Sequence, residues 1–196
     1  MSIIRQHDFT LNGGTDKYKI VLRPLLDEHL PLLCKWNSDP DVLYWSEGSD
    51  VNEYDPETVS KIYGSVSQKA FCFLVEAGGV PVGECWLQKM NLQPILDRYT
   101  NGEDVRRIDM MIGNKDYWNL GIGSAIIGML LDFAFTIQGV DYLYGLVFDY
   151  NIRSQRTFEK NGFTLHFKEP STQAPDKAKE DFYYRMSYDE YGRLKR

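Results

Sequence analysis

Two short stretches of the chain carry residue types from which an anion site and a catalytic carboxylate can be built. A predicted strand, 105–113, contains Asp109, and the loop after it ends in Gly121-Ile122-Gly123 at the start of an apolar helix. Glycines let the backbone approach a ligand closely, and the free N–H groups and dipole of a helix N-terminus favour negative charge. The spacing therefore predicts that the loop binds a pyrophosphate and that Asp109 lies where the chemistry happens.

The glycine pair matches neither of two familiar phosphate motifs. Ile126 stands where a dinucleotide fingerprint has its third glycine, and no Gly-Lys-Ser/Thr follows, which excludes a Walker loop. Taken alone, the pair is equally compatible with a helix cap. For Asp109, a structural salt bridge with Arg106 or Arg107 is the alternative to a catalytic role. The local sequence leaves both alternatives open.

The hydrophobic pattern around these stretches predicts one mixed sheet with helices on its faces. Strands are predicted at 18–25, 70–77, 80–87, 105–113, 142–148, 163–168 and 180–188. Helices are predicted from 27 to about 37 and at 41–45, 56–68, 121–138 and 151–161. Gly78-Gly79 predicts a tight hairpin, Asn12-Gly13-Gly14 a turn, and 89–104 a long connection with one helical turn. Since no repeat or linker interrupts the pattern, residues 1–196 are predicted to form a single domain.

Composition narrows the class of protein. The 196 residues are 43% hydrophobic and 26% charged, as in ordinary globular domains, and no apolar run is long enough to span a membrane. The N-terminus lacks a signal-peptide core, so a cytoplasmic location is expected. A net charge of −6 without a basic patch argues against nucleic-acid binding. Such a charge would attract cationic small molecules, although on its own it is more simply explained by solubility. Reduced core thiols and the lack of a metal site are expected from the wide spacing of Cys34, Cys72, Cys85, His7, His29 and His166.

A second motif lies downstream of the glycine loop, and together the two resemble the GCN5-related N-acetyltransferase (GNAT) superfamily. The family's acetyl-CoA loop, Gln/Arg-x-x-Gly-x-Gly/Ala, corresponds here to Trp118-Asn119-Leu120-Gly121-Ile122-Gly123. The family's later motif, Asn-x-x-Ser/Ala followed by Glu-Lys-x-Gly-Phe, is matched by Asn151, Ser154, Glu159, Lys160, Gly162 and Phe163. Both motifs occur in the right order and at the right spacing, and the resemblance covers most of 17–188.

The resemblance implies a fold and a cofactor. The fold is α/β (α+β): a single mixed, mostly antiparallel sheet of about seven strands with helices on both faces. Its fourth and fifth strands splay apart to admit the pantetheine arm of acetyl-CoA. The residues implied to bind the cofactor are Met111, Ile112, Trp118, Asn119, Leu120, Gly121, Ile122, Gly123, Ser124, Asn151, Ser154 and Phe158. Backbone N–H groups of the loop are expected to bind the pyrophosphate, and those of Met111 and Ile112 the thioester carbonyl.

Within the superfamily, the sequence is most similar to the aminoglycoside 6'-N-acetyltransferases. The similarity lies in Arg23-Pro24, Leu33-Cys34-Lys35-Trp36, the segments 44–50 and 108–113, and the tail 180–183. It implies acetyl transfer to the 6'-amine of an aminoglycoside-type antibiotic, with antibiotic resistance as the consequence. The acceptor site is expected to use Trp45, Glu47, Asp50, Asp109, Asp149 and Asp181. Carboxylates suit a polycationic sugar, and an aromatic ring can stack on it. A solvated acidic loop is the alternative to this role.

Three departures from that group weaken the choice of acceptor. Phe158 replaces the tyrosine proposed to protonate the leaving thiolate, Met110 replaces a frequent glutamine, and Asp149 is a shifted equivalent of an Asp-Pro aspartate. Since phenylalanine has no proton to donate, the alternatives are that Tyr150 protonates the thiolate or that the thiolate leaves unassisted. As an ordinary base Asp109 is weak, since its usual pKa is about 3.9 against about 8 for an amine. Its expected role is therefore to hold and orient the amine.

Other functions remain open on the sequence. The alternatives are a ribosomal-protein or other protein N-terminal acetyltransferase, a siderophore-type hydroxylamine acyltransferase, and a non-catalytic acyl-CoA-binding sensor. Phe158 is the one feature that favours the sensor. The expected partner is a small-molecule amine, with neither nucleic acid nor membrane, and the chain is expected to be a monomer or homodimer.

Overall fold

The computed structural model describes residues 2–47, 51, 53–172 and 177–195, and within them the chain forms one eight-stranded sheet. The strands are β1 (Leu11–Gly14), β2 (Lys19–Pro24), β3 (Ala70–Ala77), β4 (Val80–Lys89), β5 (Val105–Met111), β6 (Tyr142–Phe148), β7 (Thr164–Pro170) and β8 (Glu180–Ser187). Their order in the sheet is β1-β2-β3-β4-β5-β6-β8-β7, and only β5 and β6 pair in parallel. The predicted mixed, mostly antiparallel α/β sheet is confirmed.

The helices cover both faces of this sheet, as predicted. They are α1 (Leu30–Trp36), α2 (Pro40–Ser46), α3 (Pro56–Ser67), α4 (Gln93–Leu96), α5 (Ile122–Asp132), α6 (Ile152–Lys160) and α7 (Tyr188–Leu194). Successive β3 side chains alternate between two cores: Phe73 and Val75 pack with α5, whereas Cys72 and Leu74 pack with α1 and α3. No helix in the described part of the chain has the length and hydropathy to span a membrane.

The additional strand, β1, lies where the sequence predicted a turn, so that prediction was wrong. Gly13 and Gly14 are extended and pair with Ile20 and Lys19 of β2. A Cβ atom on Gly13 would lie 2.7 Å from the sulfur of Met129 on α5. The glycine at 13 thus permits a helix to approach the strand closely. Gly78-Gly79, in contrast, forms the predicted hairpin turn, with φ of 60° and 82°.

Two helical features were missed. The predicted helix 121–138 is α-helical only to Asp132 and continues as a π-helix, Phe133–Ile137. The predicted strand 180–188 ends at Ser187, where α7 begins with a capping box. Ser187 Oγ accepts the N–H of Glu190, and Glu190 Oε2 accepts the N–H of Ser187. This Ser-x-x-Glu spacing was visible in the sequence and indicates a helix start.

The predicted splay lies between β5 and β6, which are the fifth and sixth strands because β1 precedes them. Their parallel pairing ends at Ile108↔Gly145, whereas β5 remains paired with β4 as far as Met111. The ring of Phe158 fills the space above Gly145, where a Cβ atom would lie 2.2 Å from its Cζ. The 109–111 edge that faces away from β4 is therefore free of sheet pairing, and it borders the cavities described next.

Candidate active site

A cavity of about 420 Å³ opens at the N-terminus of α5. Most of the residues predicted to bind the cofactor line it: Met111, Ile112, Trp118, Asn119, Gly121, Ile122, Gly123, Ser124, Asn151 and Ser154. Two predicted residues lie elsewhere. Leu120 packs against the α5 side of the core, and Phe158 lines the neighbouring cavity.

The backbone of the glycine loop is shaped to bind an anion. Gly121 adopts a left-handed conformation with φ of 78°, and Asn119, with φ of 61°, is the one non-glycine residue in the described ranges with positive φ. The first intrahelical bond runs from Ala125 N–H to Gly121 O. The N–H groups of 122–124 precede that bond and have no partner within the helix. They supply the free donors that the sequence predicted.

Two further features prepare the cavity for a phosphate-bearing ligand. The indole N–H of Trp118 donates to Ile112 O at 2.7 Å and ties the loop to the end of β5. Arg153, Arg156 and Lys160 of α6 also line the cavity. Sequence reasoning missed these three cations, although their i, i+3, i+7 spacing places them on one helix face.

A second cavity, of about 240 Å³, lies on the other side of the free end of β5. The two cavities share the lining residues Trp45, Ser46, Met110, Met111, Asn151 and Ser154. The walls of the second cavity carry three carboxylates, Glu47, Glu84 and Asp109, together with Arg107. Because the cavities meet at the splay, a group bound in one lies next to a group bound in the other.

Three buried polar atoms belong to residues that line this second cavity: Asp109 Oδ2, Glu84 Oε2 and Trp86 Nε1. Asp109 Oδ2 lies 2.7 Å from Nε of Arg107. The salt-bridge alternative for Asp109 is therefore realised, and its catalytic role stays a prediction that its place in the cavity wall supports. Glu84 and Trp86 also interact, since hydrogen bonding from Trp86 acts to lower the pKa of Glu84. The wall thus offers carboxylate acceptors and one indole N–H donor to a ligand.

The environments of the two central carboxylates favour different protonation states. Burial, followed by the nearby charge of Asp109, raises the pKa of Glu84 well above its usual range. Burial also raises the pKa of Asp109, but the Arg107 guanidinium counteracts this effect. The neutral form is therefore favoured more strongly at Glu84, whereas the Arg107 guanidinium favours the charged form of Asp109. When the environments of two carboxyl groups make their pKa values differ, one group commonly acts as the acid and the other as the base.

Glu47 lies at the end of α2 and faces the same cavity. Burial raises its pKa, and the hydroxyl of Tyr54, which donates to its Oε2 at 3.3 Å, opposes that shift. Asp50, the other acidic residue predicted in this loop, falls outside the described residues.

Asp149 and Asp181 do not join the other predicted acceptor residues. Asp149 accepts the backbone N–H of Lys179 at 3.2 Å, and Asp181 is 1% exposed on β8, opposite Phe148 of β6. Neither belongs to the described residues that line the two cavities. The structure therefore assigns their side chains to the packing of the β6–β8 region.

The structure also shows what surrounds Phe158 and Tyr150, the two residues discussed above for proton donation. Phe158 is 3% exposed and packs between the splay and Tyr184. The hydroxyl of Tyr150 donates to Tyr44 O at 3.0 Å. Asn151 donates from Nδ2 to Trp45 O and accepts the N–H of Ser154, so its amide joins α2 to α6.

Glu84 and Trp86 were not selected from the sequence, and Arg107 was considered there only as a salt-bridge partner of Asp109. One signal was available, because Glu84 is a charged residue inside the otherwise apolar strand 82–87. The same argument singled out Asp109. Which cavity Glu84 would face depends on strand register, which the sequence does not state.

A family model described as an acetyltransferase (GNAT) domain matches residues 19–164. The chain belongs to the GNAT acetyltransferase family. With this, the predicted enzyme class, an acetyl-CoA-dependent N-acetyltransferase, is confirmed. The first cavity fits coenzyme A, since it combines free helix N–H donors and three cations with apolar walls. We refer to it below as the cofactor cavity and to the second as the acceptor cavity.

Solved GNAT structures share this fold. The aminoglycoside acetyltransferase AAC(6')-Ib, in complex with ribostamycin and coenzyme A, is 18% identical, with a TM-score of 0.78 over 90% of this chain and 98% of that chain. RimJ from Mycobacterium smegmatis, with CoA-disulfide, is 15% identical, with a TM-score of 0.76 over 93% and 88%. Spermidine N-acetyltransferase from Vibrio cholerae, with CoA and spermine, is 16% identical, with a TM-score of 0.72 over 88% and 97%. At these identities the likeness establishes the fold, so the acceptor has to be argued from the site itself.

Proposed function

We propose that this acetyltransferase acts on a primary amine of a small cationic amino sugar, with an aminoglycoside 6'-amine as the favoured acceptor. The observation that carries the proposal is the convergence of the carboxylates of Glu47, Glu84 and Asp109 and the indole of Trp86 on one cavity. An amino sugar offers ammonium donors to a carboxylate and hydroxyl oxygens to the indole N–H. A protonated polyamine offers donors only and has no acceptor for the indole N–H.

The charge and size of the acceptor cavity support the same class of acceptor. Glu47, Glu84 and Asp109 face it with Arg107 as the one opposing cation among the described lining residues. A volume of about 240 Å³ is below the usual range of whole drug-sized sites, so it suits one ring of a larger sugar. Trp45 and Trp86 provide aromatic surface for such a ring.

Asp109 and Glu84 have different roles in the acetyl transfer. When bound, acetyl-CoA supplies an acetyl thioester, whose transfer to a neutral amine yields an amide and a free thiol. Asp109 holds the incoming ammonium and accepts a proton from it, and burial brings the pKa of this carboxyl closer to that of the amine. Neutral Glu84 can donate a hydrogen bond to the acceptor.

A hydroxyl proton is also available where the cavities meet. Phe158 has none, and the hydroxyl of Tyr150 is committed to Tyr44 O. Ser154, in contrast, lines both cavities. We therefore infer that Ser154, rather than Tyr150, holds the proton nearest the point of transfer.

A thiol-release assay with acetyl-CoA tests the proposed function. The acceptors are kanamycin-type amino sugars, spermidine, peptides with a free N-terminus, and a reaction without acceptor. We expect release with the amino sugars to exceed release with spermidine and peptides. Preference for peptides would indicate a protein N-terminal acetyltransferase, and coenzyme binding without release for any acceptor would favour the sensor alternative.

The variant Trp86→Phe sharpens this test, because it keeps the aromatic ring and removes the N–H donor. A hydrogen bond of this kind is worth about 1 kcal/mol, so the loss in kcat/KM for an amino sugar should be roughly fivefold. Transfer to spermidine should not change. An equal loss for both acceptors would contradict the role given to the indole N–H.

A further inference from the structure

Three aromatic rings form a cage beside the cavities. Tyr44 and Trp45 lie near the end of α2, and Tyr150 precedes α6. The centroid of Tyr44 lies 4.9 Å from that of Trp45 and 5.8 Å from that of Tyr150, and those of Trp45 and Tyr150 are 6.1 Å apart. The hydrogen bond from the Tyr150 hydroxyl to Tyr44 O holds the two walls together. We call this group the aromatic cage.

The cage holds the ammonium group of Lys177. Its Nζ faces the ring of Tyr44, lies 4.0 Å from the centroid of Tyr150 and 6.0 Å from that of Trp45. It donates to Tyr44 O at 2.7 Å. Within the described ranges no carboxylate forms an ion pair with Lys177. The cage therefore binds a cation through ring faces and one carbonyl, and burial lowers the pKa of Lys177 to about 8.

The cage is continuous with the active site through one residue. Trp45 lines both the cofactor cavity and the acceptor cavity. Its ring also contacts the guanidinium of Arg153, whose Cζ lies 4.2 Å from the ring centroid. An acceptor that fills the acceptor cavity thus lies against a wall of the cage.

We propose that the aromatic cage is a subsite for a second ammonium group of the acceptor, and that Lys177 occupies it until the acceptor displaces it. This rests on the proposed function, in which the acceptor is a cationic amine. Lys177 shows which chemistry fits: a primary ammonium that places charge on the rings and donates to Tyr44 O. Since the two cations compete for one place, Lys177 weakens the binding of acceptors with several amines and leaves single amines unaffected.

Kinetics with two acceptors test the competition. The acceptors are neamine, which has several amines, and methyl 6-amino-6-deoxyglucoside, which has one on a similar ring. A cation–π contact is worth about 0.5–2 kcal/mol, so Lys177→Met should lower KM for neamine roughly two- to thirtyfold. The values for the single amine should not change. Lys179→Met, which removes an exposed lysine two residues away, is the matched control and should leave both acceptors unaffected.

A cage variant gives the opposite result. Tyr44→Leu should raise KM for neamine by a similar factor, with KM for the single amine unchanged. Tyr150→Phe keeps the ring and should retain most of the effect of the cage. The proposal is overturned if Lys177→Met leaves the ratio of the two KM values unchanged, or if acetyl-CoA alone acetylates Lys177, which intact-mass and peptide mass spectrometry would detect.

A binding experiment separates this proposal from the proposed function, because it needs no transfer. In protein labelled with ¹³C at the lysine ε-carbon, the Lys177 signal should be shifted by the ring currents of the cage. Loss of the signal in Lys177→Met assigns it. Adding 1,3-diaminopropane without acetyl-CoA should move the signal towards that of free lysine. A Lys177 signal at the ordinary lysine position, or one that the diamine does not move, overturns the proposal even if the enzyme acetylates amino sugars.

Discussion

The cofactor cavity and the acceptor cavity lie on either side of the same free strand end, but they are built from different parts of the chain. The cofactor cavity is formed largely by backbone N–H groups in 118–124 and by one face of α6. The acceptor cavity is formed by side chains from α2, α3, β4, β5, β6 and α6, together with Asn37 at the end of α1. Their charges also differ, since Arg153, Arg156 and Lys160 face the first and Glu47, Glu84 and Asp109 face the second.

Under the proposed function, this difference in charge would separate the two ligands within one continuous space. An anionic cofactor is attracted to the helix end and its cations, and a cationic acceptor to the carboxylates, so each ligand is disfavoured in the other's place. The two cavities should also respond to different kinds of substitution. Backbone geometry should control cofactor binding, whereas the charge state of a few side chains should control acceptor binding and turnover.

Asp109→Asn should have the largest effect and should affect only the acceptor side. The variant keeps the shape but removes the charge that holds and deprotonates the amine, so kcat should fall by at least about tenfold. Affinity for acetyl-CoA, measured by calorimetry, should be nearly unchanged. Asp97→Asn, at the exposed end of α4, is the control. An unchanged rate would remove Asp109 from the mechanism.

Gly123→Val should affect only the cofactor side. The Cβ atom at Gly123 would lie 3.4 Å from Met110 Cε, and the branched side chain would extend into the cofactor cavity. Loss of one charge-assisted backbone hydrogen bond corresponds to a roughly tenfold rise in KM for acetyl-CoA. KM for the acceptor should not change. Gly128→Ala lies in the same helix, where the new Cβ would be 3.5 Å from Asn161 Oδ1, and should have little effect on either constant.

Arg107→Met should shift the pH dependence of the reaction. Burial raises the pKa of Asp109 and Arg107 lowers it, so removal of the guanidinium leaves the raising effect unopposed. The ionised carboxylate is the active form, and activity is lost as the pH falls through its pKa. The acidic limb of kcat/KM against pH should therefore move to higher pH. A limb that stays in place, or moves to lower pH, would show that Arg107 does not set the charge of Asp109.

Gly145→Ala should have the smallest effect on ligand preference and act mainly on stability. A Cβ atom there would lie 2.2 Å from Phe158 Cζ, and overpacking of this kind costs about 1–3 kcal/mol. Thermal unfolding should show a lower melting temperature. Gly192→Ala in α7, where nothing lies within 4 Å of the new Cβ, should leave it unchanged or slightly higher. Equal melting temperatures would contradict the close packing of the Phe158 ring against Gly145 at the splay.

The sequence by itself determined what depends on local backbone chemistry. Gly121 and Gly123 indicated the start of a helix, and Gly78-Gly79 indicated a hairpin, because each requirement is met within a few residues. Most strands and helices followed from hydrophobic periodicity. The prediction of a turn at Gly13-Gly14 was wrong because a distant residue decides the local structure. Gly13 leaves room for the side chain of Met129, which is far away in sequence.

Only the tertiary structure decided which side chains form the acceptor cavity. The register of β4 and β5 pairs Trp86 with Asp109 and Glu84 with Met111, so Glu84 becomes a diagonal neighbour of Asp109. Arg107 then acts to lower the pKa of Asp109 and favours its charged form. Asp149 and Asp181, which looked equivalent in the sequence, lie outside the cavity because the β6–β8 pairing places them elsewhere. Register and strand order bring distant residues together, and no local pattern encodes them.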